Sequence, residues 1–299
     1  MGITASDVKK LREMTGAGMM ACKQALNETG GNIDEAMTFL RKKGLAAAEK
    51  KQSRVAAEGV IATLVEGNEA VAVEVNCETD FVSKGEDFQN FAQSIANFAL
   101  KEKPQTTTEL KEAKKEAVNE LTLKCGEKVD IRRFQSLSLS GEGIIGQYNH
   151  GGKIGVLIKL ESDKNLSGND QAEDFVKDLC MHIAAAAPQF LTADQIDEDF
   201  KKKEADLYTE QLKDQGKPEN IIPKIVEGKL AKMATEICLM NQKFVKDPDL
   251  TIEKLIAQKS KELDAKLKIT DFFKLNLGEG IEKKEDNLAE EVAKMSGKQ

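Results

Sequence analysis

The sequence contains no tryptophan, two tyrosines and two histidines in 299 residues. With aromatics at 5%, its cores must be assembled mainly from Val, Ile, Leu, Ala and Met. So little histidine leaves few routes to acid–base chemistry. His150 sits beside Gly151-Gly152, and His182 lies on an apolar stripe, where it reads as a hydrogen-bonded core residue rather than a base. No Ser/His/Asp or Cys/His constellation can be assembled, and no metal-ligand spacing occurs. No catalytic residue and no cofactor are therefore expected. The five cysteines, at 22, 77, 125, 180 and 238, include no C-x-x-C pair and read as separate reduced thiols. No run of 18 apolar residues exists, so no membrane-spanning helix is expected. The opening "MGITASDVKKLREM" has no apolar stretch of the signal-peptide kind, and Gly2 has no second membrane signal beside it. A cytoplasmic protein is the expectation.

Positive charge is outweighed by negative, with 44 Lys and Arg against 51 Asp and Glu. The formal net charge of −7 argues against a chain that binds nucleic acid by neutralising phosphates, and no direct nucleic-acid contact is expected. The basic stretch from Arg41 to Lys51 reads as a solvated helix tail. "GEGIIG" (141–146) matches G-x-G-x-x-G, and Glu161 follows at a suitable distance. A β-type run follows the glycines, however, where the dinucleotide fingerprint needs a helix.

What the sequence does contain is periodicity. Residues 1–54 read as a three-helix module and linker. Thr4 with Asp7 makes a capping box for the first helix. Met19, Met20, Lys23 and Leu26 lie on the second, and Asn32 with Glu35 starts a third that Gly44 is expected to end. Next come two hairpin patterns, "GVIATLVEGNEAVAVEVN" (59–76) and "GIIGQYNHGGKIGVLIKL" (143–160). The spacing of 84 residues from Gly59 to Gly143 recurs from Gly67 to Gly151. Each hairpin precedes an amphipathic helix, one carrying Phe88, Phe91, Ile95 and Phe98, the other Phe175, Leu179, His182 and Ile183. This implies a duplicated hairpin-plus-helix unit in an α+β multidomain protein. The expected divisions are 55–140 for the first core subdomain and 141–191 with 229–277 for the second. Residues 192–228 read as a projecting antiparallel coiled-coil arm, broken at Gly216 and Pro218. Residues 278–299 read as a C-terminal helical module, with Leu288, Val292 and Met295 on one face.

The triplet Thr-Asp-Phe occurs at 79–81 and again at 270–272. Cys77–Val82 reads as a strand-to-helix loop, with Ser83 and Glu86 as the capping box of the Phe88 helix. Phe81 could plug the underside of that helix. Yet the corresponding loop of the second unit, "ESDKNLSGND", has no aromatic, which favours an exposed Phe81. Phe272 lies in an alternating run and reads as strand.

In order along the chain, "LREMTGAGMMACKQAL", "EVNCETDFV", "YNHGGKIGVL", "MHIAAAAPQFL", "GKPENIIPKIVEGKL" and "LGEGIEK" resemble the blocks of the elongation factor Ts family. Ser83 stands where that family often has Ala. The resemblance implies a guanine-nucleotide exchange factor for elongation factor Tu, in its GDP-bound and nucleotide-free forms. It implies a ubiquitin-associated-like N-terminal module. It also implies that Thr79, Asp80, Phe81 and Val82 enter the partner near its Mg²⁺ and phosphate site. Arg12, Met19, Met20 and Lys23 would be N-terminal contacts, with His150, Gly278 and Ile281 a second tier. Self-association within the complex stays open as a use for the arm. A scaffold or RNA-associated adaptor using the basic linker and the arm is the alternative.

Overall fold

The computed structural model describes residues 3–282. Three helices come first: α1 (Ala5–Thr15), α2 (Met19–Glu28) and α3 (Ile33–Lys51). Thr4 and Asp7 form the expected capping box on α1. Asn32 caps α3, its Oδ1 accepting from the Asp34 and Glu35 N–H groups. Leu11, Cys22, Ala25, Leu26, Ala36 and Leu40 form the small core between the three. Gly44 does not end α3. The Ala-rich stretch after it is strongly helix-forming, which outweighs the roughly 1 kcal/mol a mid-helix glycine costs.

A mixed unit follows: β1 (Glu58–Glu66), β2 (Glu69–Cys77), α4 (Asp80–Ser83), α5 (Glu86–Glu102), α6 (Thr107–Ala113), α7 (Lys115–Cys125) and β3 (Asp130–Ser138). The hairpin β1–β2 is antiparallel, and β3 adds on the far side of β2. The next unit has β4 (Gly143–His150), β5 (Ile154–Glu161), α8 (Asp170–Ala186), α9 (Glu198–Asp214), α10 (Ile222–Ile237), β6 (Lys243–Phe244), β7 (Asp247–Thr251), α11 (Ile252–Glu262) and β8 (Lys268–Asn276). Its sheet runs β4-β5-β8.

The two sheets repeat each other in detail. In both, the third strand carries a bulge, at Arg132 between the partners of Glu74 and Val75, and at Thr270 between the partners of Lys159 and Leu160. Gly59 and Gly143, which begin the two hairpins, have φ of 142° and 145°, and a Cβ on either would collide with the opposite strand's carbonyl. Helices α5 and α8 end on left-handed residues, Lys103 and Ala187.

The layers run helix, sheet, sheet, helix. Val71, Val73 and Val75 face α5 through Phe88, Ile95 and Ala99. Val156, Ile158 and Leu160 face α8 through Phe175, Leu179 and Ile183. Between the sheets lie Ile61, Ala70, Ala72, Leu137, Ile145, Leu157 and Leu275. Strand β2 is thus covered on both faces, and its interior is buried throughout.

Thr270 also decides where the second Thr-Asp-Phe points. The bulge puts Phe272 with Ile269 on the α8 side, while Phe273 and Leu275 turn to the inter-sheet core. A single alternation from Leu267 to Leu277 does not hold across it. Helices α9 and α10 pack on each other through Leu212, Ile222 and Val226. α10 continues past residue 228 to Ile237. The expected C-terminal helix through Leu288, Val292 and Met295 lies outside the described residues.

Candidate partner-binding site

Strand β2 ends at Cys77, and the chain turns at once. Thr79 has an extended backbone, and its hydroxyl accepts from the Val82 N–H at 3.4 Å, capping the single turn α4. The segment expected as a loop is therefore helical at Asp80–Ser83. The capping box expected from Ser83 and Glu86 does not form. Gly85 occupies the N-cap of α5 without a side-chain bond, and the Ser83 hydroxyl donates to the Asp80 carbonyl instead. Val82 packs against the core under α5, and Gln89 Nε2 donates to the Ser83 carbonyl at 2.6 Å. Phe81 points the other way and is 85% exposed. It is not a plug.

The turn is held from below. The Cys77 thiol is buried and donates to the Thr79 carbonyl at 3.1 Å. Burial, followed by the charge of Glu127, pushes that thiol up to about 12, so it stays protonated. Glu127 accepts from the Glu78 and Thr79 N–H groups and from the Thr79 hydroxyl. Nothing in its surroundings, "CGEK", marked Glu127 in the sequence. Asp80 pairs with Lys84 at 2.6 Å. The Lys84 ammonium holds the Asp80 carboxyl below its usual range, so Asp80 is anionic.

The second-tier residues lie around the same end of the sheets. Glu58 opposes Cys77 across the β1–β2 pair and takes Lys153 at 2.9 Å. Lys153 belongs to the β4–β5 turn, which docks on β1 through Ile61 N–H to the Gly152 carbonyl at 2.8 Å and Asn149 Nδ2 to the Ile61 carbonyl at 2.7 Å. His150, exposed beside this turn, stacks on Tyr148, whose hydroxyl lies 3.0 Å from His150 Nδ1. Gly278 is engaged internally. Its N–H donates to Glu74 at 2.8 Å, its φ is +70°, and a Cβ there would strike the Ala57 carbonyl. Ile281 closes the same turn onto the Gly278 carbonyl.

In the N-terminal module, Cys22, Ala25 and Leu26 take the inward stripe of α2. Met19, Met20, Lys23 and, on α1, Arg12 are exposed, Met20 at 74%. Adjacent large apolar side chains left in solvent are characteristic of contact surfaces. The module packs on α7 through α3 and is tied onward where Lys124 meets Asp87 of α5 at 2.6 Å.

The other motifs carry no chemistry here. "GEGIIG" runs into β4 without a helix. His182 is fully buried, with Nε2 on Gln242 Oε1 at 3.0 Å and Nδ1 accepting from the Val245 N–H at 3.3 Å. Among the described residues, no group of three or more His, Cys, Asp or Glu is placed to hold a metal, and no helix is long and apolar enough to cross a membrane.

An exposed aromatic on a firmly held turn and a second exposed apolar patch on the small helical module that packs on α7 are the features left for contact with another molecule. The sequence model of the family described as "Elongation factor TS" matches residues 78–279. The chain is 48% identical to elongation factor Ts of Clostridium acetobutylicum over 303 residues, with 98% of each chain covered. It is 47% identical to that of Clostridium novyi over 302 residues, with 97% of each covered. For Clostridium perfringens the identity is 45% over 306 residues, covering 99% of this chain and all of the relative. The chain belongs to the elongation factor Ts family and so to the translation elongation factors.

Proposed function

We propose that this chain binds elongation factor Tu and promotes release of its GDP. The observation that carries this reading is Phe81, an apolar ring held in solvent on a braced turn. The residues Thr79–Val82 enter the partner's nucleotide domain beside the Mg²⁺ and phosphate site. There the ring parts the partner's elements and Asp80 brings negative charge toward groups that hold Mg²⁺ and phosphate. No bond is made or broken by this chain, and it needs no cofactor of its own.

The energetics require more than one contact. A ten-thousandfold acceleration corresponds to about 5.5 kcal/mol of differential binding. Burying one Phe supplies about 1.5–3 kcal/mol. Arg12, Met19, Met20 and Lys23 provide a second grip, with the His150 turn and the Gly278–Ile281 region contributing beyond it. By linkage, this chain and GDP weaken each other's binding to the partner by the same factor.

In this reading residues 1–54 are a ubiquitin-associated-like module and linker. Residues 55–140 and 141–191 with 229–277 are duplicated subdomains. Residues 192–228 belong to a coiled-coil arm, and 278–299 form the C-terminal module. The chain binds both the GDP-bound and the nucleotide-free partner, in the cytoplasm. The deciding experiment follows labelled GDP bound to elongation factor Tu. Substoichiometric amounts of this chain should accelerate its release with turnover. Binding without acceleration would reduce the protein to a scaffold.

A further inference from the structure

Thr79, Asp80, Phe81 and Val82 are contiguous in sequence, but the turn they form is braced by a carboxylate from far down the chain. Glu127, 48 residues beyond Thr79, receives three hydrogen bonds from the turn: the Thr79 hydroxyl at 2.6 Å, the Thr79 N–H at 2.9 Å and the Glu78 N–H at 3.1 Å. The clasp is reciprocal. The Lys128 N–H donates to Glu78 Oε1 at 2.7 Å, and Arg54 pairs with Glu78 at 3.2 Å. An ionised carboxylate is acceptor-only, so it can face three converging donors without conflict, whereas an amide would turn donors of its own toward them.

This bracing matters for Phe81 in particular. A four-residue helical turn has no stability of its own. The ring makes almost no contact with its own protein, so nothing at the ring's level fixes its direction. That direction is inherited from the backbone of Asp80–Ser83, and its N-terminal anchor is Thr79 on Glu127. The same short segment also faces the N-terminal module. Lys51 Nζ donates to the Gly126 carbonyl at 2.6 Å, and Lys128 Nζ donates to the carbonyls of Gln52 at 2.7 Å and Arg54 at 3.0 Å. Residues 126–128 therefore tie the linker behind α3 to the Phe81 turn.

We infer that Glu127 is a positioning residue for nucleotide exchange, fixing the Thr79 turn so that Phe81 is presented in one direction relative to the N-terminal module. This rests on the reading of Phe81 as the wedge. Glu127 touches neither partner nor nucleotide; it acts through Phe81.

The test is a double-mutant cycle on the full chain, with labelled GDP release from elongation factor Tu measured at increasing factor concentration. Glu127→Ala should lower the maximal rate by about ten- to a hundredfold, the scale a displacement of about 1 Å produces. Half-saturation should change little, because the grip through Met19 and Met20 remains. Glu127→Gln, which keeps one acceptor for the Thr79 hydroxyl, should fall between. In a Phe81→Ala background, Glu127→Ala should cause less than about a twofold further loss, since a misaimed ring that is absent cannot matter. Melting temperature is recorded for all five proteins, and Glu127→Gln replaces Glu127→Ala in the cycle if the latter melts near the assay temperature. Losses that multiply in the double variant would overturn the inference, because Glu127 would then act on the grip or the fold. A wild-type rate for Glu127→Ala would also overturn it while leaving the role of Phe81 intact. A wild-type rate for Phe81→Ala would remove both.

Discussion

Phe81 leaves its own core untouched, whereas Phe272, with the same two residues before it, packs into the cluster under α8. Phe81→Ala should therefore change stability by less than about 0.5 kcal/mol, the usual range for an exposed site. Catalysed GDP release should fall by an amount corresponding to a few kcal/mol. Phe272 is partly buried, so Phe272→Ala should lose about 1–2 kcal/mol of stability, a part of what full burial of such a side chain is worth, and lower exchange only through unfolding. Exchange rate and melting temperature measured together separate the two; equal exchange loss at equal stability would remove the distinction. Met20 gives a companion case. Met20→Asp should leave the helical circular dichroism intact, because an acidic residue in the first turn of α2 suits the helix dipole. It should weaken partner binding at least about tenfold, since an aspartate replaces apolar burial. A collapse of helicity would instead make Met20 a core residue. At this scale the site was partly legible. Phe81 could be judged exposed because the second unit's loop folds without an aromatic. Glu127 could not be found, because its role is created by a contact 48 residues away from a turn that reads as ordinary polar loop.

Among the elements, the hairpins and their amphipathic helices were legible from period and spacing, but the third strand of the first sheet was not. β3 carries Arg132 and Arg133, and the bulge at Arg132 breaks the two-residue alternation on which strand recognition depends. The matching bulge at Thr270 shifts faces in β8 for the same reason. The arm shows a related limit. The break expected at Gly216 and Pro218 falls between α9 and α10, but α10 runs past the expected boundary at 228 to Ile237, and the ends of the helical pair are joined by backbone bonds. The Gln189 N–H donates to the Ile237 carbonyl at 2.8 Å, and the Leu239 N–H to the Phe190 carbonyl at 2.8 Å. Replacing 193–236 with a short linker should therefore spare both sheets and part of the exchange activity. A deletion protein that folds and binds the partner yet shows no exchange would mean the arm acts in the exchange step. Near the arm's base, His182 couples α8 to the β6–β7 hairpin. Burial holds its imidazole below the ordinary 6.5, the Gln242 bond only partly offsetting this. Because the unfolded chain takes up that proton first, stability should be full above about pH 6.5 and decline as pH falls below it. The slope for one group is at most about 1.4 kcal/mol per pH unit. Denaturation midpoints from pH 7.5 to 5 should show this decline in the natural protein and lose that component in His182→Gln.

Across the described residues, the apolar layer through which the two sheets meet is interrupted by charge at Glu74. Glu74, on the inter-sheet face of β2, has no solvent exposure. It accepts from Arg133 Nε at 2.6 Å, Arg132 Nη1 at 3.0 Å and the Gly278 N–H at 2.8 Å. Arg133 reaches on to Glu279 at 3.1 Å and to the Asn276 carbonyl at 2.9 Å, and Arg132 to the Glu279 carbonyl. One buried carboxylate thus fastens the end of β8, and the turn that leads toward residue 283, to the other sheet unit. Losing one member of a fully buried ion pair costs about 3–5 kcal/mol, because the partner's charge is left unpaired. Here both arginines are about a quarter exposed and can regain water, at 26% and 29%, so the lower part of that range applies to them. Asn76, 1% exposed, whose Nδ2 also donates to Glu74 Oε1 at 3.2 Å, cannot recover in the same way. Glu74→Ala should therefore lower stability by about 2–3 kcal/mol. Glu74→Gln, which keeps an acceptor for Gly278 but adds donors facing two arginines, should recover only part of that. Urea unfolding of the three proteins gives the measurement. If the clasp holds the units as one body, both variants should also broaden the transition, as one sheet unit loosens before the other. Should Glu74→Ala unfold with the natural midpoint and slope, the apolar layer alone would suffice to join the sheets, and the buried carboxylate would have no part in holding the C-terminal turn.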